Sequence, residues 1–312
     1  MTSAPRPLDG VRVVEFSHMV MGPTCGLILA DLGADVVKVE PAPGGDKTRR
    51  LPGSGSGYFG TYNRNKRSIA VNLKSVEGLK FATHLVRESD VLIENFGVGV
   101  LDRLGLGYDA MQEINPSLVY CALKGFLSGP YEQRAALDEV VQMMGGLAYM
   151  TGPEGCPLRA GASVNDVMGG LFGVIAIQAA LWERQRTGKG TFVRAGLFEN
   201  NMFLVAQHMV QYRQTGVPAV PMPERVSAWA VYDVFETADG EKIFVGVVSD
   251  KQWTQFCKVF GLDDLFQDAE LQTNAQRVAR RDVFMPRLRE LFGGQDLSQA
   301  ATICGRVGLP FA

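Results

Sequence analysis

Histidine is scarce in this chain: only His18, His84 and His208 occur, and no two stand at ligand spacing. The five cysteines (Cys25, Cys121, Cys156, Cys257 and Cys304) are odd in number, widely spaced and never in a CxxC pair. A disulfide framework and a zinc site are therefore not expected. The thiols read as reduced core residues of an intracellular protein. GxGxxG is missing, which removes the usual dinucleotide fingerprint. GxSxG is missing too, so neither Ser17 nor Ser163 sits in a nucleophile elbow. Neither charge is in excess: 31 Lys+Arg stand against 33 Asp+Glu, a net −2. Nucleic acid as the main partner would need a strong basic excess. Met1–Pro7 carries no apolar signal core. The longest charge-free apolar run, Val167–Trp182, holds Gly169, Gly170 and Gly173 and is shorter than the roughly 20 residues of a membrane span. It reads as a buried helix, and no membrane partner is expected.

What is present is ordinary globular material, 46% hydrophobic and 21% charged over 312 residues. That length suits about two domains and a full core without staples. Val11–Phe16 reads as a buried strand, Gly26–Leu32 as a helix stopped by Gly33, and Asp35–Glu40 as the next strand. This β-α-β unit implies parallel strands and a right-handed crossover. The rhythm repeats with strands at Ser68–Leu73, Asp90–Asn95 and Leu118–Leu123 and a helix over Val76–Arg87. Gly53–Gly57 reads as a flexible loop. A long helix is expected over Asp166–Arg186, a short strand over Thr191–Ala195, and another helix over Glu199–Gln214. Alternation of this kind predicts a doubly wound, Rossmann-like α/β domain over residues 1–224. Beyond the prolines Pro218, Pro221 and Pro223 the pattern changes to a hairpin, Tyr232–Glu236 and Lys242–Val247 around Asp239–Gly240. Helices follow from about Lys251 and about Ala275. A smaller α+β domain is expected over 225–312. The last residues, Gly308–Ala312, are apolar and have no polar tail, so a longer natural chain is expected.

In α/β proteins, anionic groups are held where a strand end feeds a helix N-terminus, because free N–H groups and the helix dipole point there. Ser17–Pro23 occupies that place. Glu40 ends the second strand, where a dehydrogenase keeps its ribose-binding acid, but without the glycines that reading is disfavoured. The plainer reading of Glu40 is a solvated strand end. Lys66, Arg67, Lys74, Arg103 and Lys124 fall near strand ends and make one sheet edge a candidate cationic rim, with scattered surface charges as the alternative. Asp166 begins the long helix. Its plain role is a cap. Its chemical role is a carboxylate kept ionised by helix amides, with Gly169 and Gly170 leaving room for substrate. Such an acid can attack an activated acyl carbon and form an anhydride. Cys121, Leu27, Ile28, Leu29, Met143 and Met144 read as core.

Read together and in order, several segments resemble the family III CoA-transferases, the group of formyl-CoA transferase, carnitine CoA-transferase and 2-methylacyl-CoA racemase. They are Pro7–Glu15, Gly33–Glu40, Asn65–Ser68, Glu94–Gly97, Leu101–Gly105 and Gly188–Gly190, spread along nearly the whole chain. The resemblance implies that Asp166 carries the acyl anhydride and then an aspartyl-CoA thioester. It implies that His18, Asn72, Leu73, Lys74, Asn95, Phe96, Gly97, Arg103, Lys124 and Gly125 line the site for coenzyme A. Asp138 and Gln142 would lie near the reacting acyl group, and the chain would form an interlocked homodimer. Acyl-CoA and carboxylate substrates are the expected partners, in the cytoplasm. No metal or redox cofactor is expected, since the thioester supplies the activation.

Three departures narrow the reading. Formyl-CoA transferases carry Gln and Arg where Val20 and Pro41 stand here, so oxalate and formate fit poorly. Racemases carry a His where Leu137 stands, so a second base is missing and a racemase is the second choice. The stretch Leu123–Phe126 with Leu137–Gly146 resembles the subgroup acting on dicarboxylic acyl-CoAs, which includes the mesaconyl-CoA C1–C4 transferases. Arg134 and Arg159 are candidates to hold the free carboxylate.

Overall fold

The computed structural model describes residues 6–225 and 227–312. Residues 1–5, most of the segment read as lacking an apolar signal core, lie outside them. The chain divides into two compact units, Met1–Glu224 and Arg225–Ala312.

The first unit is built on six strands: β1 (Arg12–Phe16), β2 (Asp35–Pro41), β3 (Arg67–Val71), β4 (Val91–Glu94), β5 (Val119–Lys124) and β6 (Phe192–Gly196). All pair parallel in the order β3-β2-β1-β4-β5-β6. Valine-rich runs make the central strands because both sheet faces are covered by helices. The helices, in chain order, are α1 (Met21–Asp31), α2 (Tyr58–Tyr62), α3 (Val76–Arg87), α4 (Val100–Arg103), α5 (Tyr108–Ile114), α6 (Asp138–Met144), α7 (Leu147–Thr151), α8 (Val164–Thr187) and α9 (Leu197–Thr215). Strand order reverses between β1 and β4, and the crevice at that switch point is where such sheets take ligands.

Five expectations need correction. Helix α1 starts at Met21, not Gly26. Pro23 is tolerated because an amide in the first turn has no partner inside the helix, and Gly22 is needed because a Cβ there would lie 2.5 Å from the Ser17 Cβ. Gly53–Gly57 is a short 3-10 turn rather than a loose loop. Gly169 and Gly170 face α1, not substrate: added Cβ atoms would meet Met21 Cε at 2.3 Å and Thr24 Cβ at 2.7 Å. Helix α8 spans 24 residues, long and apolar enough to cross a membrane by length and composition. It packs on α1, β5 and β6 as the core helix of a sheet domain. It is buried on one face only, since Leu171, Ile175 and Trp182 are exposed. Of the cysteines, Cys156 is exposed and the other four are buried, so the core assignment fails at that one.

The second unit pairs β7 (Val231–Glu236) and β8 (Lys242–Val247) antiparallel, with Gly240 at φ 78° in the turn. Helices α10 (Asp250–Val259), α11 (Asp263–Gln267), α12 (Asn274–Ala279), α13 (Arg281–Gly293) and α14 (Leu297–Arg306) follow. Phe235, Phe256, Phe284, Leu288 and Phe292 form its core. Gly246 and Phe244 donate to the carbonyls of Pro310 and Ala312, so the last residues line the free edge of β8.

Candidate active site

The loops leaving β1, β4 and β5 and the start of α8 enclose a cavity of about 310 Å³. Asp166, Asp138, Arg159, His18, Asn95 and Lys124 line it. A larger hollow, about 460 Å³, runs along α3 beside Val76, Lys80 and His84, but it carries no acid and lies off the strand ends. The smaller one gathers carboxylates, a guanidinium, an imidazole and an ammonium at the strand ends.

A buried charge cluster holds the Ser17–His18 loop that leads into this cavity. Glu15, within the valine run of β1, meets Lys38 Nζ at 3.2 Å and Lys66 Nζ at 2.8 Å. Lys38 also meets Asp46 at 3.3 Å and donates to the Ser17 carbonyl at 2.7 Å, fixing the chain just before His18. Asn95 then clamps the His18 backbone from both sides, accepting its N–H at 3.0 Å and donating to its carbonyl at 2.8 Å. Met19 takes a left-handed φ of 63° in that loop. The His18 ring stacks on Phe96 at the mouth of the cavity, where the surrounding wall removes enough water to lower its pKa.

Lys124 is neutralised by Glu94 at 2.5 Å and donates to the Phe96 carbonyl at 2.8 Å, tying the ends of β5 and β4 together. Burial raises the Glu94 pKa against the pull of Lys124. Gly125 is required because a Cβ there would lie 2.3 Å from the Ala136 Cβ.

Asp166 is the third residue of α8, half-buried in the cavity wall. It is neither a cap nor held ionised by helix amides. The amides of Asn165 and Asp166 donate instead to Asp138 Oδ2, at 2.7 and 3.1 Å. Burial first, and then the Asp138 charge, push the Asp166 carboxyl up to about 7, against a smaller pull from Arg159. Arg159 stands 3.7 Å from both Asp138 Oδ1 and Glu139 Oε2, contacts loose enough to leave donors for a ligand.

Seven of the expected site residues therefore meet at this cavity: His18, Asn95, Lys124, Gly125, Asp138, Arg159 and Asp166. Phe96 stands behind His18. Gln142 is fully buried and bonds Asp138 rather than facing the cavity. Asn72, Leu73 and Lys74 lie at the turn into α3, where Asn72 Oδ1 accepts the Lys74 N–H at 3.1 Å. Gly97 and Arg103 are exposed and outside the cavity lining, as is Arg134, which lies over the Tyr131 ring. The cationic rim is smaller than expected: Lys66 and Lys124 are neutralised internally, and Arg67 pairs with Asp35. Glu40 is not solvated. It is buried and takes Arg49 through two bonds (2.8 and 2.7 Å), the Asp46 N–H and the Ser68 hydroxyl. Burial works to raise its pKa, but those donors outweigh it and bring it down to about 2. Its oxygens are thus committed inside the protein, which removes the ribose acid of a dehydrogenase. The sequence reading missed Tyr58 and Glu139 on the cavity and the Glu15 cluster that holds the Ser17 backbone. The available signal for the latter was a carboxylate set between Val14 and Phe16 in the apolar part of a strand.

The family model described as "CoA-transferase family III" matches residues 8–312. The succinate–glutarate CoA-transferase of Agrobacterium fabrum is 37% identical over 296 residues, covering 90% of this chain and 74% of that protein. The succinyl-CoA:glutarate CoA-transferase of Homo sapiens is 34% identical over 312 residues, covering 98% and 71%. Among solved structures, a CaiB/BaiF family protein from Brucella suis superposes with a TM-score of 0.84 at 36% identity, covering 99% of this chain and 84% of that one.

Proposed function

We propose, from the premise that this chain belongs to CoA-transferase family III, that Asp166 is its nucleophile and that its substrates are dicarboxylic acyl-CoAs and carboxylates. That it is a CoA-transferase follows from the family and from relatives bearing that name. The observation that carries the finer reading is a carboxylate in the cavity wall whose neighbouring amides are bound by another acid, so that its own oxygens are left for substrate.

The steps balance without an external proton source. An Asp166 carboxylate oxygen attacks the thioester carbonyl; the C–S bond breaks and coenzyme A leaves as thiolate. The thiolate attacks the aspartyl carbonyl of the anhydride; the C–O bond to that carbonyl breaks, the donor acid leaves as carboxylate, and an aspartyl thioester remains. The acceptor carboxylate repeats the first step on that thioester. The returning thiolate takes the acceptor acyl group and restores the Asp166 carboxylate. Position 137, which a racemase fills with a base, is an exposed leucine on the cavity.

Arg159 supports the dicarboxylic reading, because a guanidinium on the cavity wall can hold a distal carboxylate with two parallel bonds. The relatives act on succinate and glutarate, as their names state. Arg134 lies outside the cavity lining and is not needed. A homodimer is part of the proposal. Ile175 and Trp182 on α8, and Phe203 and Val210 on α9, are exposed at 59%, 66%, 68% and 54%, an apolar surface that a second copy would cover. The cytoplasm is the proposed location, because four buried cysteines are free thiols and persist there.

The test is hydroxylamine trapping during turnover with a panel of dicarboxylyl-CoAs, read by peptide mass spectrometry. A modified Asp166 is expected, and Asp166→Ala is expected to lose exchange while still binding coenzyme A. An adduct on another residue, or an active Asp166→Ala variant, would overturn the assignment.

A further inference from the structure

Helix α8 has an unusual arrangement at its start. Its N-cap residue, Ser163, makes no side-chain capping bond. The first amide, that of Val164, goes to the Ala162 carbonyl at 2.9 Å. The next two go to a carboxylate 27 and 28 residues earlier in the chain, at the start of α6. That carboxylate, Asp138, is 6% exposed and has its other oxygen on Gln142 Nε2 at 2.5 Å. Gln142 is completely buried, and its Oε1 accepts the Ala160 N–H at 2.8 Å. One acid–amide pair thus locks α6, the segment leading into α8 and α8 itself.

We propose that Asp138 is a positioning residue for the nucleophile: it caps α8 from a neighbouring helix, takes up the amides that Asp166 would otherwise bind, and so presents Asp166 to the substrate as an unpartnered carboxylate. The inference rests on the reading of Asp166 as nucleophile. A carboxylate bonded by helix amides is stabilised as an anion and is a poorer nucleophile for it. Asp138 absorbs that stabilisation, and its own charge makes Asp166 less acidic. Other groups face Asp166 as well. Arg159 opposes the effect of Asp138. Glu139 adds negative charge from α6, and Tyr62 on α2 feels both acids in its own raised pKa, after the effects of burial and Tyr58. His18 and Lys124 lie across the cavity, the latter already neutralised by Glu94.

The test compares Asp138→Asn and Asp138→Ala with the parent enzyme by the pH dependence of kcat/KM for exchange, which reports groups of the free enzyme. Asparagine keeps an oxygen for the two amides and removes the charge. Its acid limb is expected to move down by about one pH unit while the protein stays folded. Alanine removes both, and kcat is expected to fall about 100-fold with little change in the KM for acyl-CoA, because a misplaced nucleophile loses rate rather than binding. A merely structural aspartate would change thermal stability and leave the pH profile where it was. A superimposable profile for Asp138→Asn, or an alanine defect lying entirely in KM, would overturn the proposal. Should the alanine variant not fold, the asparagine profile decides. The hydroxylamine adduct is scored in each protein. Its absence from Asp166 in the parent enzyme refutes the nucleophile itself, whereas an adduct there with an unmoved Asp138→Asn profile refutes only the positioning role.

Discussion

Replacing Glu15 by glutamine removes one negative charge from a fully buried place. Glu15 is 0% exposed, and the side chains of Lys38 and Lys66 are each 1% exposed. Lys38 keeps Asp46 and the Ser17 carbonyl after the change. Lys66 keeps only neutral acceptors, the Pro23 carbonyl at 2.7 Å and Asn63 Oδ1 at 3.3 Å. Breaking one side of a buried pair costs about 3–5 kcal/mol. An independent bound comes from letting Lys66 give up its proton: from about pKa 10.4 down to pH 7, at about 1.4 kcal/mol per pH unit, the cost reaches about 5 kcal/mol. The two figures agree, and for a chain of this size they correspond to a melting temperature lower by about 6–20 °C. The assay is calorimetric unfolding of both proteins from pH 7 to pH 10. Burial already lowers the Lys66 pKa against the pull of Glu15, and the variant loses that pull. Between the lowered folded pKa and about 10.4 the unfolded chain binds more protons, so stability rises with pH there and the deficit of the variant narrows. Adding Lys66→Met is expected to recover most of the loss. A loss below about 1 kcal/mol at pH 7, or a deficit that does not narrow by pH 10, would refute the reasoning.

The packing of α8 on α1 is tested by Gly170→Ala. The new Cβ would lie 2.7 Å from Thr24 Cβ and 2.9 Å from the Met21 carbonyl, so about 1–3 kcal/mol of overpacking is expected to outweigh the helix preference for alanine. Gly60→Ala, in a helix with open space around that position, serves as the control and is expected to be neutral or slightly stabilising in urea titration. Thiol titration checks the cysteines: one group, Cys156, reacts rapidly in the native protein and all five react after denaturation. Burial raises the thiols of Cys25, Cys257 and Cys304, the last two to about 12 and about 11, which slows them further. A second fast thiol in the native protein would contradict the assigned burial.

The sheet was legible where strands announce themselves by valine. The expected strands at Val11–Phe16, Asp35–Glu40 and Leu118–Leu123 appear within one residue of their ends, and the helix over Val76–Arg87 appears as expected. The helix after β1 was read five residues late, because Gly22 and Pro23 look like breakers in a linear reading. In the folded chain, glycine is what lets α1 approach Ser17, and proline sits where no amide bond was available. The buried acids were misread for a related reason. Glu40 looks like a strand end facing water until Arg49 and Ser68 close on it.

Periodicity, turn residues and strand composition act over a few residues, and they determined which segments are strands and helices and that Asp166 opens a long helix. The motif pattern carried the family resemblance. Only the tertiary structure decided what surrounds each charge. Glu15 meets a lysine 51 positions later in the chain, and Asp138 takes the amides beside Asp166 from 28 positions away. A carboxylate behaves as a scaffold ion, a remote cap or a weakly acidic group in a cavity wall according to the solvent it has lost and the partners it has gained. Both depend on contacts between distant segments, which local sequence preference does not encode.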